Sequence, residues 1–292
     1  MVSELFNMTR QAYYQRLWRE EVQEREEALI LECVRQVRRK HPCMGTRKIL
    51  YKIEPMLEHE EVKIGRDKLF FLLKGEDLLV KPKKAYRKTT RPGHWRVPNL
   101  LPGLEITYAR QVIVCDITCV EVEIGRFVYL FLIMDLFSRY ILGWHVSDTL
   151  GADGAIHCLE LALPELIKTQ QQIIHHSDHG VQYVSLVYLE TLNSYQILPS
   201  MGAVGNCYDN IFAERVIGTL KHEYTLNSRF KDKQQVISIA DEAVYLYNRD
   251  RPHLSLNMAV PYDIYCGNFT IDAFLKIPLK ENNMLDFNPK TY

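Results

Sequence analysis

The sequence predicts an α/β chain in which a small all-helical region precedes a domain built on a mixed five-stranded sheet with helices. Three observations lead there. Apolar residues recur at helical spacing through the first 80 residues, then switch near Arg110 to β-branched and aromatic runs with the period of strands. A Lys-, Arg- and Pro-rich stretch separates the two regimes. In the second regime the order reads β-β-β-α-β-α-β-α, three neighbouring strands and then strands alternating with helices, which is the pattern of a mixed sheet. The expected division is a helical region at 1–80, a basic linker at 81–105, an α/β core at 106–270 and a tail at 271–292.

The helical region is expected to begin with Val2 to Asn7, followed by Thr9 as the N-cap of a segment carrying Tyr13, Tyr14 and Leu17, similar to the second half of a helix-turn-helix. A long amphipathic helix follows around Glu24 to Lys40, with Leu29, Cys33 and Val37 on its buried side, and His41-Pro42-Cys43-Met44-Gly45 stops it. Thr46 is read as the cap of another helix through Ile53, and Gly65 to Leu73 as a third that closes at Gly75. The last of these carries Arg66 and Lys68, which suits docking in a DNA major groove; the alternative is a small bundle that braces the next domain.

Composition narrows the function classes. With 47% apolar and 25% charged residues over 292 positions, the chain has the make-up of a well-cored protein of two or three domains. Its apolar runs, such as Phe127 to Leu132, are far shorter than the roughly 20 residues of a membrane span, and no secretory signal is expected at its start. Seven cysteines without a Cys-x-x-Cys pair read as reduced core residues, with Cys115 and Cys119 on one strand face. The formal net charge of zero hides an asymmetry. Residues 1–100 hold 22 Lys and Arg against 14 Asp and Glu, and the remainder holds the reverse. A basic front half implies a polyanionic partner. Lys81 to Arg96, with Lys83, Lys84, Arg87, Lys88 and Arg91 and no acid, reads as an extended tether that tracks phosphates.

In the second regime, Gln111 to Val120, Phe127 to Met134 and Arg139 to Val146 form an expected antiparallel meander. A helix from Ala152 to Ile167 leads to Gln172–His175, a buried parallel strand with Asp178 at its carboxyl end. Val184 to Ser194 reads as a helix, Gln196 to Ser200 as the final strand, and Asp209 onward as a helix. This order is that of a ribonuclease-H-like domain, in which ligand groups gather at strand ends.

Three acids stand out in that frame: Asp116 within the first strand, Asp178 in His-His-Ser-Asp-His-Gly, and Glu214 in Tyr-Asp-Asn-Ile-Phe-Ala-Glu-Arg, with 35 residues between the last two. On the helix bearing Glu214, positions seven apart differ by only about 20°, so Glu214 and Lys221 share a face with Asn210 and Gly218. Phe212, Ala213, Val216, Ile217, Leu220 and Tyr224 form the apolar stripe. Asp209 reads as a helix-starting residue rather than a fourth ligand. Hard divalent ions favour carboxylate oxygen, so Mg2+ or Mn2+ is the expected metal. Two ions about 3.5–4 Å apart would be bridged by Asp116, with Asp178 on one and Glu214 on the other.

These residues resemble, over nearly the whole chain, the second-reading-frame product of a large bacterial insertion-sequence family whose catalytic core is similar to retroviral integrases. The markers are Asp116-Ile117-Thr118, Met134-Asp135-Leu136-Phe137-Ser138-Arg139, His176-Ser177-Asp178-His179-Gly180, Ser200-Met201-Gly202, Asp209 to Glu214, and Tyr247-Asn248 followed by Arg251-Pro252-His253. The resemblance implies a transposase that cleaves the ends of a mobile element and uses the freed 3′-hydroxyl to attack another phosphodiester, with metal on Asp116, Asp178 and Glu214. It also implies terminal inverted repeats and target DNA as partners, at least a dimer on DNA, a contribution from the upstream-frame product or fusion, and a nucleoid-associated life in a bacterial cytoplasm. Lys221 is then a phosphate contact, His179 and Asn210 support the site or touch DNA, Asp135 is structural, and Arg251 and His253 lock their helix to the core or reach DNA.

Two departures matter, because many relatives carry an aromatic residue and a hydroxyl residue where this chain has Val112 and Cys115. Neither removes a ligand. The competing readings are an inactive copy kept as a DNA-binding regulator, against which the intact triad speaks, and a nuclease of RNA–DNA hybrids, for which a basic helical reader is unnecessary.

Overall fold

A computed structural model describes residues 9–80, 97–169, 171–202, 210–268 and 275–276. The expected helix over Val2 to Asn7, the linker residues Lys83, Lys84, Arg87 and Lys88, and Asp209 lie outside the described residues. The chain divides into two compact units, residues 1–84 and residues 85–292.

The first unit is three helices, α1 (Arg10–Lys40), α2 (Thr46–His59) and α3 (Arg66–Gly75). Thr9 caps α1 as expected, its hydroxyl accepting from the Ala12 N–H at 3.2 Å. The helix then runs unbroken for 31 residues, which corrects the division into a Thr9-capped segment and a separate Glu24–Lys40 helix. Its middle, Trp18-Arg19-Glu20-Glu21-Val22-Gln23-Glu24, contains neither Gly nor Pro and several strong helix formers, so nothing local ends it. The change in hydrophobic pattern marks a change of packing partner rather than of backbone. Only the second half is buried, through Ile30, Leu31, Cys33, Val34 and Val37.

Thr46 is not the cap of α2: Gly45 holds that position without a side-chain hydrogen bond, and Thr46 is the first helical residue. The helix also continues past Ile53 to His59 through Pro55, because Leu57 is buried in the same core. Leu69 and Leu73 of α3 close that core against Met44, Ile49 and Ile53.

The second unit opens with a two-residue strand β1 (Glu105–Ile106) and continues into β2 (Val112–Val122), β3 (Arg126–Asp135) and β4 (Ile141–Ser147), the expected meander. Helix α4 (Ala152–Leu166) leads to β5 (Ile173–Ser177), α5 (Leu186–Ser194) and β6 (Ile197–Met201). Then come α6 (Ile211–Glu223), α7 (Lys233–Arg249) and the short α8 (Pro261–Tyr265). A last strand, β7 (Leu275–Lys276), pairs antiparallel with β1. The main sheet runs β4-β3-β2-β5-β6, antiparallel on the β2–β3–β4 side and parallel on the β2–β5–β6 side.

Alternation along β2 splits the core between two faces. Ile113, Cys115 and Ile117 pack with α4 and α5, through Leu159, Ala162, Tyr188 and Leu192. Val112, Val114, Val120 and Val122 pack with α6 and α7, through Val216, Leu220, Ala240 and Tyr247. The Asp135 carboxylate is fully buried and accepts from the Arg110 N–H at 2.7 Å, from the Ser138 N–H at 2.7 Å and from the Ser138 hydroxyl, so it holds the β3–β4 turn. Asn248 bonds both the N–H and the carbonyl of Ile141 at 2.9 Å and anchors α7 to β4. Arg251 makes a two-pronged pair with Glu223 at 2.8 and 2.9 Å, a structural link between the ends of α7 and α6.

The close approach of α4 to β4 requires Gly143: a Cβ there would stand 2.8 Å from the Cys158 carbonyl oxygen, which is backbone and has little room to yield. Gly143→Ala is therefore expected to destabilise the unit by about 1–3 kcal/mol, read as a lower urea midpoint at an unchanged slope.

Candidate active site

The pairing of β2 with β5 decides where the first two acids sit. The strands are parallel and their register runs to Val114 with His176, so Asp116 and Asp178, each two residues further on, are carried toward each other, and the Asp178 charge acts on Asp116. Asp116 lies on the face opposite Cys115 and Ile117, the α6 side, and its Oδ1 accepts from the Ile117 N–H at 2.8 Å. Asp178 follows the last residue of β5, where Oδ1 accepts from the Gly180 N–H at 3.0 Å. Glu214 enters from the first turn of α6.

What sets the start of α6 beside β2 is Asn210. It occupies the N-cap position, is buried, and its Nδ2 donates to the Cys115 carbonyl at 3.0 Å, one residue before Asp116. Glu214 stands one helical turn beyond it.

The electrostatics follow from that geometry. Burial pushes the Asp116 carboxyl well above the usual carboxylate range, and the charges of Asp178 and Glu214 push the same way, against the Ile117 N–H and Lys221. Glu214 is raised by burial and then by Asp178. Burial lowers the Lys221 ammonium, opposed by Cys119 and Asp116. Asp116 thus feels both other acids, Glu214 feels Asp178, and Lys221, on the helix face predicted for it, interacts with Asp116. Among the described residues, however, no three His, Cys, Asp or Glu side chains stand close enough together to grip an ion.

Two buried polar atoms near these acids lack a protein partner: Asn210 Oδ1 and His179 Nδ1. A cavity of about 500 Å3 lined by Val122, Arg126, Lys231 and Lys233 lies toward the other end of β2 and contains none of the three acids. Arg66 and Lys68 are exposed on α3 in the other unit, where Arg66 is paired with Asp67 at 2.8 Å.

Sequence reasoning missed a cluster behind the acids. His175 Nε2 lies 2.9 Å from Cys115 Sγ and 2.8 Å from the Tyr188 hydroxyl, all three fully buried, and it ties β5 to β2 and α5. Nothing local in the sequence distinguishes His175 from His176, which instead bonds Ser200 at 2.9 Å on β6. Strand alternation separates the two rings.

A five-stranded sheet in this order, with helices on both faces and acids from the central strand, its parallel neighbour and the following helix, is a ribonuclease-H-like integrase core. Family models agree: residues 107–207 match an integrase core domain, and residues 195–261 match a second integrase core domain model. The chain is 31% identical over 268 residues to an uncharacterized 31 kDa protein of insertion element IS600 from Shigella sonnei, which covers 88% of this chain and 95% of that protein. It is 36% identical over 141 residues to the transposase for insertion sequence element IS629, also from Shigella sonnei, covering 48% and 47% of the two chains. The chain belongs to the bacterial insertion-sequence transposase family with an integrase core domain. Its match to the IS629 transposase spans about half of that protein's length. Among solved structures, a chain of the simian T-cell lymphotropic virus intasome is similar at a TM-score of 0.46 and 16% identity, over 84% of this chain and 77% of that one, too distant to bear on function. Among the described residues no helix is long and apolar enough to cross a membrane.

His175 supplies a pH test of the cluster behind the acids. Burial lowers its pKa to about 3, with the nearby His176 acting in the same direction. A histidine depressed in the folded state contributes stability that is present above its ordinary pKa and lost as pH falls toward the folded value. Urea titrations are expected to show an extra loss approaching about 1.4 kcal/mol per pH unit below pH ~6.5, absent from His175→Gln.

Proposed function

We propose that this protein is a DNA transposase that cleaves the ends of an insertion sequence and joins the 3′-hydroxyl to target DNA, using Asp116, Asp178 and Glu214 as its metal-binding triad. The observation that carries the reading is the register of β2 against β5, which draws Asp116 and Asp178 toward each other, with Glu214 close enough to raise the Asp116 pKa. The donor set fits a hard divalent cation: three carboxylates, all oxygen, whose like charges help to raise the pKa of Asp116 and Glu214, with Lys221 opposing the shift at Asp116. Two Mg2+ or Mn2+ ions, when bound, supply activation of the attacking oxygen and charge stabilisation of the leaving oxygen.

The chain's own residues divide the remaining work. Asn210 holds α6 against β2 and so sets Glu214 relative to Asp116. Lys221, two turns along the same helix face, contacts a phosphate of the scissile strand, which the Asp116 field helps to keep it charged for. His179, whose Nδ1 is unpartnered, is free to donate to or accept from DNA or a bound water beside Asp178. The exposed basic side chains of α3, Arg66 and Lys68, together with Lys83, Lys84, Arg87 and Lys88, contact DNA away from the cut. The partners are terminal inverted repeats and target DNA, bound by at least two copies of the chain, with end recognition completed by an upstream-frame product or fusion.

Labelled DNA carrying the element's own ends, incubated with Mg2+ or Mn2+, is expected to give 3′-end nicks and strand-transfer products with wild type and none with Glu214→Gln. Products that persist in the Glu214→Gln protein would overturn the assignment. If wild type and its upstream-frame fusion both bind the ends yet cut nothing, the regulator reading replaces it. Metal linkage gives an independent readout. In chelator at neutral pH, Asp116→Asn removes one of three crowded charges and is expected to raise Tm by about 2–4 °C for each kcal/mol of relief. Mg2+ should then raise the Tm of wild type and leave the variant unmoved.

A further inference from the structure

The first turn of α6 meets a second directed contact besides the one made by Asn210. Arg139, in the turn between β3 and β4, is 7% exposed and lays its guanidinium over the Phe212 ring, with Cζ 4.5 Å from the ring centre. Phe212 stands two residues before Glu214, so at about 100° per residue their side chains leave the helix about 200° apart. The ring meets Arg139 on one side of α6, and Glu214 leaves the other, where it feels the charge of Asp178. A contact behind the helix therefore bears on how Glu214 is turned.

Arg139 occupies this place against several costs. Its backbone is left-handed, with φ at +65°, a conformation that Gly or Asn takes far more readily. Burial lowers the pKa of its guanidinium, and Arg215, the neighbour of Glu214, pushes the same way. The N-terminal turn of a helix is also the end that disfavours a cation. Neither the turn nor the helix calls for an arginine here. What holds it is directed: its N–H donates to the Asp135 carbonyl at 2.9 Å, Nη1 donates to the Leu136 carbonyl at 2.6 Å, and the ring takes the face of the cation. Backbone strain that aims one buried cation at one ring points to a role for that contact.

Asn210 alone leaves α6 a pivot. Its bond to the Cys115 carbonyl fixes the start of the helix against β2 but not the rotation of the helix about its own axis. The stripe of Ala213, Val216 and Leu220 adds apolar burial, which is not directional. Phe212 against Arg139 supplies a second fixed point, two residues further on.

We propose that Arg139 is a positioning residue for the metal site, bracing the first turn of α6 from behind through Phe212 so that Glu214 keeps its ligating orientation. The proposal rests on the reading of Glu214 as a metal ligand.

Mn2+ binding to the full chain with its end DNA, followed by electron paramagnetic resonance of the free ion, tests it without a turnover assay. Glu214→Gln is expected to weaken binding; if it binds as tightly as wild type, the ligand reading fails and this inference with it. Arg139→Met and Phe212→Leu should each weaken Mn2+ binding by about tenfold, the scale of an outer contact that orients a ligand. The double variant should bind no worse than either single one, because both remove the same contact. Arg139→Lys should keep most of the affinity, since an ammonium also sits over a ring face. Gly143→Ala, which loosens the opposite face of the sheet, should bind Mn2+ as wild type does. With Glu214→Gln weakened, unchanged affinity in Arg139→Met overturns the proposal alone and leaves the ligand reading standing. Additive losses in the double variant overturn it too, as does an equal loss in Gly143→Ala, because general loosening would then suffice. If Arg139→Met does not fold, Phe212→Leu compared with Gly143→Ala decides in the same way.

Discussion

The parallel hydrogen bonding of β5 to β2 is the constraint on which the site depends. Three registered pairs, Val112 with Ile174, Ile113 with His175 and Val114 with His176, lead up to two acids that are 62 positions apart in the chain. A slip of one residue would turn every side chain of β5 to the other face and would separate Asp178 from Asp116. The pairing is secured from below by His175, whose ring bridges Cys115 and Tyr188, and by the apolar packing of Ile113 and Ile173 around it.

Helix α6 is held by a different set of contacts at each end. At its start, Asn210 bonds the backbone of β2; at its finish, Glu223 takes the guanidinium of Arg251 from beyond α7. Between them Ala213, Val216 and Leu220 are buried against the sheet. A helix fixed at both ends and along one face keeps Glu214 and Lys221 aimed at the carboxylate edge. That rigidity matters for crowded like charges, which would otherwise relax by moving apart.

Much of this was legible in the chain itself. Periodicity marked all five core strands, Asp178 at a strand end, and the apolar stripe of the Glu214 helix, and each lies within a few residues of its expected bounds. The role of Asp135 was readable because a buried turn carboxylate serves neighbours close in sequence. The unbroken α1 was not, because a helix that leaves its bundle changes its hydrophobic pattern without changing its backbone. The cap of α2 was misread because Thr46 and Gly45 are adjacent and only backbone angles tell which is the first helical residue.

By itself the sequence determined the core strands and the helices between them and singled out the candidate site residues, since hydrogen-bonded local structure and apolar alternation depend on neighbours a few positions away. Only the tertiary structure decided that Asp178 acts on Asp116, that Asn210 and Arg251 fasten the Glu214 helix, and that His175 is buried and neutral while His176 serves another strand. Those facts are set by strand register and by contacts between residues tens of positions apart. No local pattern encodes them, because the packing energy that selects one register belongs to both sheet faces at once.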